Sequence, residues 1–445
     1  MRPGGRQTSS GRSAAVPAEP SRTLIDVMSA SERLVEVTHG TTSVLMIEQG
    51  GRGGVSDYTE QLSRALACRG WSITLATAAD HRYPPVMGIT IRPVFHYVRG
   101  HSPLARASRR LRLGPAANGL RFLLAIPRLL RLSHNADIVH AQGWEYAPLG
   151  LLAIVCLRLA GATVVQTTHN TFERGRLYRV GHDLTQAGLA RLTARTIVHT
   201  RADLARVPRT AGGRVVVIPH GEYSALAAGS RVVDRLRARA ALGISQDTPV
   251  TLLFGYLRPD KGLRDLLAAL IRLPRIRLLI AGTEQGALAA SAGQLTDPRL
   301  AGRVTIREGF LEMDEAAILF AATDTVTLPY AVASQSGILL LSYGFRRPVI
   351  VYPVGGLVEA VIDGETGWIC RRPDIDALVD ALRDAADAGW DECRRRGEAG
   401  AKYSATNFGW PVIALRTSQL YCEVLEQRRA SPRRARSSRL QARRQ

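Results

Sequence analysis

The sequence predicts an α/β protein made of two doubly wound parallel sheets that face each other across a central cleft. Three observations carry this reading. Short apolar strands alternate with helix-period segments along most of the 445 residues, the pattern of parallel sheets covered by helices. The alternation runs through twice, with a break near Pro219-His220-Gly221. The glycine-rich and cation-bearing motifs follow strands, at the carboxyl ends where such sheets hold ligands.

The elements follow in order. Residues 1–40 are Gly-, Ser-, Pro- and Arg-rich and are read as a disordered extension. Ser43–Ile47 reads as a strand, Gly50–Gly54 as a glycine loop, and Val55, Tyr58, Leu62 and Leu66 as one face of a helix. Strands follow at Ser72–Thr77, Ile138–His140, Ala162–Gln166, Thr196–His199 and Arg214–Ile218. The apolar run Leu149–Ala160 contains Arg158 and is too short to span a bilayer, so it is a core helix. The first domain is placed at 41–221. The second, 222–406, opens on the strand Val250–Phe254 and a helix through Leu263, Leu266 and Leu267. It continues through strands at Arg277–Ala281, Val304–Ile306, Thr325–Leu328 and Val349–Tyr352. A closing helix over Phe408–Leu425 carries Trp410, Ile413, Leu420 and Leu425 on its apolar side, and is placed at 407–426. The Arg-rich tail, 427–445, reads as disordered.

Composition narrows the classes. Apolar residues make up 46% and charged residues 22%, which excludes a disordered chain. The net charge is +21. The first 22 residues hold four Arg and one Glu, and the last 19 hold eight Arg and no acid, which leaves +10 for the body between. Only Lys261 and Lys402 are lysines. Such an excess favours phosphate-rich partners. The five cysteines form no CxxC pair, so neither a zinc site nor a disulfide framework is expected, and a reduced, cytoplasmic setting is. The first 22 residues lack the apolar core of a signal peptide. Aromatics make up 6% and no nucleic-acid module is visible, so a specific nucleic-acid partner is not expected.

Four motifs sit after strands. Gly50-Gly51-Arg52-Gly53-Gly54 lets backbone amides approach a phosphate or sugar, although the spacing is not GxGxxG. A plain tight turn is the alternative. Arg258-Pro259-Asp260-Lys261-Gly262 places two cations three residues apart, which suits a diphosphate clamp; a solvated turn is the plainer reading. His169, in Thr168-His169-Asn170, is either a satisfied structural residue or a cleft group that meets a sugar or accepts a proton. Ser334-Gln335-Ser336-Gly337 runs into the apolar body Ile338–Leu341, a loop feeding a helix N-terminus that can hold an anion.

Taken in order with Ile218-Pro219-His220-Gly221, Leu328-Pro329-Tyr330, Arg347-Pro348-Val349, Val354-Gly355-Gly356 and Asp363-Gly364-Glu365-Thr366-Gly367, these motifs resemble a GT-B glycosyltransferase of family 4, the retaining, nucleotide-sugar-dependent type. The resemblance covers roughly Ser43–Leu425 and is strongest over Phe254–Trp368. It implies two Rossmann-like domains and a last helix that crosses back to the first. It implies that Arg258 and Lys261 neutralise a donor diphosphate, and that the amides of Ser336, Gly337 and Ile338 bind it. Gly53 and Gly54 would approach from the other domain, and His169 would contact the transferred sugar. It implies no metal and no cofactor, the nucleotide sugar being a substrate; fixed cations and helix amides would stabilise the departing diphosphate.

One departure stands out. The family's paired glutamates, eight positions apart, fall here on Ala333 and Leu341. Arg258 also sits two residues beyond its usual place, which Tyr256 occupies. Ser334, Gln335, Ser336 and Ser342 are the candidates to replace the lost carboxylates.

The acceptor side is basic. Arg99 to Arg131 holds eight Arg, among them Arg109, Arg110, Arg112 and Arg121, and no acid, with apolar residues interleaved. Such a segment suits the inner, anionic face of the plasma membrane and a lipid-linked or glycan acceptor; a solvated helix face is the plainer reading. Other hypotheses are a GT-B epimerase or phosphorylase, for which no acid/base carboxylates or cofactor lysine are apparent, a catalytically silent nucleotide binder, and a nucleic-acid-binding protein. The oligomeric state is not read from the sequence.

Overall fold

The computed structural model describes residues 42–97, 114–144, 147–169, 185, 187–207, 214–230 and 233–430. Its first sheet contains β1 (Ser43–Ile47), β2 (Ser72–Ala78), β3 (Ile89–Phe95), β4 (Ile138–Gln142), β5 (Val164–Thr167), β6 (Arg195–Val198) and β7 (Val215–Val217), in the order β3-β2-β1-β4-β5-β6-β7. The second contains β8 (Val250–Phe254), β9 (Arg277–Gly282), β10 (Val304–Glu308), β11 (Thr325–Leu328), β12 (Val349–Val351) and β13 (Gly367–Ile369), in the order β10-β9-β8-β11-β12-β13. Neighbouring strands run parallel in both. These are two Rossmann-like domains of a GT-B fold. Strand order reverses at β1/β4 and at β8/β11, the two places where such sheets open a ligand crevice.

Strand alternation builds the cores. In β1, Val44 and Met46 pack on one side with Tyr58, Leu62 and Leu66 of helix α1 (Gly54–Ala67). Leu45 and Ile47 pack on the other with Phe122 and Leu129 of α2 (Gly114–Ser133) and Ile154 and Leu157 of α3 (Ala147–Leu159). A single helical turn, α4 (Arg201–Leu204), follows β6. In the second sheet, Leu253 and Ile280 meet Leu266 and Leu267 of α5 (Leu263–Ile271). Leu252 and Val326 meet Phe320 of α6 (Met313–Ala322) and Leu339 of α7 (Gly337–Gly344). Helix α8 (Ile375–Phe408) is broken at Gly389, whose φ of 75° no helix accommodates.

Helix α9 (Trp410–Ala430) leaves the second domain at the end of α8 and packs into the first. Trp410, Ile413, Leu420, Tyr421 and Val424 join the core with Val44 and Trp71, whereas Leu425 is only partly buried. Polar bonds fix the crossing: Trp410 Nε1 donates to the Glu222 carbonyl at 2.9 Å, Trp71 Nε1 to Ser418 Oγ at 3.0 Å, and His140 Nδ1 lies 2.6 Å from the Tyr421 hydroxyl.

Two strands depart from the sequence reading. β3 is an edge strand interrupted by Pro93, which the ladder tolerates at a sheet edge. β13 is also an edge strand, three residues long, and begins on Gly367, where a Cβ would lie 2.3 Å from the Val349 carbonyl oxygen. Neither shows the uninterrupted apolar run that marks the central strands.

Candidate active site

The cleft wall of the first domain is the glycine loop after β1. Its organiser is Glu48, a buried carboxylate that accepts the Gly50 and Gly51 amides at 2.6 and 2.7 Å, the Tyr83 hydroxyl at 2.8 Å and the Thr77 hydroxyl at 3.1 Å. Gly53 adopts φ 84°, and nothing lies within 4 Å of a Cβ built on Gly53 or Gly54. The two glycines therefore leave open space above the first turn of α1. Asp57 in that turn is open to solvent, yet partial burial, then Glu60 and Glu48, push its carboxyl up to about 6.

His169 follows β5 in a buried imidazole cluster. His199 Nδ1 faces the Ile218 carbonyl oxygen at 3.0 Å and therefore donates, so its Nε2 accepts from His169 Nδ1 at 3.1 Å. His169 Nε2 then lies 3.2 Å from the Gln142 amide oxygen, and a neutral ring is satisfied there when the amide turns its NH2 towards it. Burial, then His199, His220 and His140, hold His169 well below the usual imidazole range. Its ring packs edge-on against Tyr58. Both nitrogens are engaged and the residue is 7% exposed, so the structure does not present His169 to the cleft as a proton acceptor. Asn170 lies outside the described residues.

The second wall is the loop after β8. Gly262 has φ 75°, and a Cβ there would lie 1.9 Å from the Pro329 carbonyl oxygen. Only glycine permits that approach, which locks the turn Pro259–Lys261 against the loop after β11. The Ala331 amide adds a bond to the Asp260 carbonyl at 3.0 Å. Lys261 Nζ consequently stands 3.5 Å from the centre of the Tyr330 ring, a cation–π contact. Arg258 is engaged within the turn: its Nε and Nη2 grip the Asp260 carboxylate at 3.0 and 2.9 Å. The turn's cationic end is therefore Lys261.

The loop after β11 leads to the start of α7. Ser336 caps the helix, accepting the Leu339 amide at 3.3 Å, and hydrogen-bonds the Tyr330 hydroxyl, which burial pushes up to about 12. Ile338 packs over Gly255, and the Tyr223 ring lies against Gly337. Gly355 and Gly356 press on the Ala333 and Ser334 carbonyls, where Cβ atoms would lie at 1.7 and 2.1 Å. The Val-Gly-Gly motif thus shapes this loop from behind.

Three of the four candidates for the missing carboxylates have other partners, but Ser336, as the cap of α7, keeps its place at the loop junction. Ser342 donates back to the Ile338 carbonyl at 2.7 Å inside α7. Ser334 donates to Asp203 Oδ2 of α4 at 2.6 Å, tying the two domains together. Glu359 adds a second tie, accepting the Arg201 and Ala202 amides at 2.9 Å each. Gln335 and Ser336 remain. Ala333 and Leu341 are both buried. Of the basic candidates, Arg121 donates to the His96 carbonyl at 2.8 Å, while Arg109, Arg110 and Arg112 lie outside the described residues. Sequence reasoning missed Glu48, Asp57, Asp203, Tyr223 and Glu359. The signal for Glu48 was a carboxylate directly after a strand and before glycines; no short motif marks the others.

Comparison with known proteins defines the class. Residues 52–221 match the family model described as Glycosyltransferase Family 4, and residues 234–403 match that for glycosyl transferases group 1. Together with the two-domain fold, they make this chain a glycosyltransferase. More particularly, it belongs to the GT-B enzymes of the family 4 type. It is 27% identical over 436 residues to a D-inositol 3-phosphate glycosyltransferase of Stackebrandtia nassauensis, covering 91% of this chain and 95% of that one. Its fold is similar to sucrose-phosphate synthase from Thermosynechococcus elongatus, at TM-score 0.69, 21% identity, and coverage of 87% and 100%. It is also similar to Anabaena HepE in complex with UDP and glucose, at TM-score 0.65, 17% identity, and coverage of 85% and 98%.

Proposed function

We propose that the enzyme transfers a sugar from a nucleotide-sugar donor, with retention at the anomeric carbon, to a lipid-linked or glycan acceptor at an anionic membrane surface. The observation that carries the donor half is the convergence of Lys261 and the amide end of α7 on one loop junction, fixed by Gly262 against Pro329. A departing diphosphate gathers negative charge, and a fixed cation beside helix amides stabilises it without a metal. Gly53 and Gly54 leave room for that group from the other domain. HepE, whose fold this chain shares, is solved in complex with UDP and glucose, which is in keeping with a nucleotide-sugar donor. Gln335 and Ser336 are the side chains left to meet sugar hydroxyls. A thermal-shift panel of UDP-, GDP- and ADP-sugars tests this reading; at least one is expected to raise the melting midpoint saturably, and no response to any of them would sink it.

The acceptor half rests on α2. Phe122, Ala125, Ile126 and Leu129 face the core, while Leu120, Leu123 and Leu124 are exposed, at 60%, 37% and 63%. Arg128 and Arg131 are exposed too. Apolar side chains standing out beside cations match a helix that lies on an anionic bilayer. Among the described residues no helix is long and apolar enough to cross one. Flotation with phosphatidylglycerol vesicles is expected to carry the protein, and replacing Arg128 and Arg131 by Gln to weaken binding by about 1 kcal/mol each. Equal flotation with neutral phosphatidylcholine vesicles would remove the electrostatic part of the proposal.

A further inference from the structure

A second cavity, of about 300 Å³, opens where the two domains meet α9. It adjoins the donor site, since Gln335 and Ser336 line it, but Lys261, Arg258, Gly53 and Gly54 do not. Arg201 reaches it from the first domain, Gln335 and Ser336 from the second, and Arg416 and Tyr403 from α9 and α8. Three of these groups lack the partners their chemistry calls for. The guanidiniums of Arg201 and Arg416 make no hydrogen bond or ion pair with any described residue. The Gln335 Oε1 atom is buried with no partner among the described residues. The acid on this wall, Glu359, already spends its two oxygens on the Arg201 and Ala202 amides. His199 and His220 on the same wall are held neutral, at about 4 and about 3, chiefly by burial. The cavity therefore presents two guanidiniums against a single carboxylate, whose oxygens already accept backbone amides.

We infer that this cavity is a second anion site, built for the phosphate group of a small molecule and lying beside the donor site, on the side away from Lys261. Two guanidiniums offer planar forks that match phosphate oxygens. A Gln amide has two N–H donors as well as its oxygen, and at Gln335 the oxygen, not the NH2 end, is the buried atom. Phosphate takes more such donors than a carboxylate does, so the donor set favours phosphate. The bound group would touch both domains and α9 together, next to the Ser334–Asp203 and Glu359 ties, and so would favour the joined arrangement of the domains over any looser one.

The test uses the full chain and reads the melting midpoint in potassium phosphate against potassium chloride of equal ionic strength. A saturable rise in phosphate is expected. Arg416→Gln and Arg201→Gln should each weaken it at least about tenfold, since each removes a charge-assisted contact, with the midpoint in chloride unchanged. Gln335→Leu should abolish the rise without lowering the midpoint in chloride, and serves if an Arg variant folds poorly. Lys261→Gln should leave the rise intact. Glycerol 3-phosphate separates the sources: tighter binding than inorganic phosphate indicates a phosphomonoester ligand, equal binding the free ion. No saturable rise, a rise undiminished in Arg416→Gln and Gln335→Leu, or one lost in Lys261→Gln would each overturn the inference.

Discussion

Lys261→Ala is expected to lower kcat by about 10²–10³, or roughly 2.7–4 kcal/mol of transition-state stabilisation, the cost of removing one group aimed at developing charge. The geometry singles out this residue. Arg258 and Lys261 stand three positions apart, but Arg258 is forked onto Asp260, so its charge is largely answered within the turn. Lys261 stands over the Tyr330 ring, on a turn that Gly262 holds against Pro329. Its charge is worth most when the leaving diphosphate becomes more negative, so the loss should fall mainly on kcat, with KM less affected. Stability should drop by no more than about 0.5–2 kcal/mol, the worth of the cation–π contact. Arg258→Ala should cost less, because the charge it removes is already answered by the Asp260 carboxylate. Asp260→Asn should shift the balance towards Arg258 and tighten donor binding. Steady-state kinetics on the three variants decide it: an Arg258→Ala enzyme more impaired than Lys261→Ala would reverse the assignment.

The second large effect is acid lability. His140, His199 and His220 are held at about 3, about 4 and about 3, and His169 well below its usual range, in each case chiefly by burial. The folded protein keeps all four neutral, whereas the unfolded chain protonates them near 6.5. Below that pH the unfolded state binds more protons, so stability falls as pH falls, by about 1.4 kcal/mol per pH unit for each histidine. The loss begins near 6.5 and continues to about 4. Asp57 acts in the opposite sense: its carboxyl, raised to about 6, takes a proton in the folded state first, but it stands open to solvent, so after screening it offsets at most one histidine below that pH. About three histidines' worth remains, or roughly 4 kcal/mol per unit, against a total domain stability of about 5–15 kcal/mol. Urea midpoints at pH 7.5, 6.5 and 5.5 should fall steeply over the last interval. A midpoint unchanged between 7.5 and 5.5 would show that the cluster is hydrated or already charged.

The sequence made both sheets legible, because central parallel strands are apolar on both faces and read as short continuous runs. It did not reveal β3 and β13, since edge strands tolerate Pro93 and begin on Gly367. At the site, backbone requirements were readable and side-chain partners were not. The glycine loop after β1 reads as open backbone, and nothing lies near a Cβ built on Gly53 or Gly54, whereas Gly262, Gly355 and Gly356, visible in the sequence only as members of motifs, each have a carbonyl where a Cβ would go. But Arg258 meeting Asp260, Ser342 bonding back into its own helix, and His169 tied on both nitrogens depend on rotamers and on partners elsewhere in the fold. The Asp203–Ser334 bond joins residues 131 positions apart, and no local pattern encodes such a pairing.

The passage of α9 into the first domain bears on how the chain is made. Val44, Met46, Tyr58 and Trp71 leave the ribosome well before the surface that covers them, which comes from Trp410, Ile413, Leu420 and Tyr421. Each such side chain, once buried, is worth about 1.5–3 kcal/mol, so the nascent first domain lacks a substantial part of its core until α9 has emerged. Domain-by-domain folding during synthesis, the usual course for chains of this size, is therefore open to the second domain, which can finish while α9 is still emerging, but not to the first. The amino-terminal half must wait, with an apolar face uncovered, which makes it the natural client of a chaperone and a poor candidate for expression by itself.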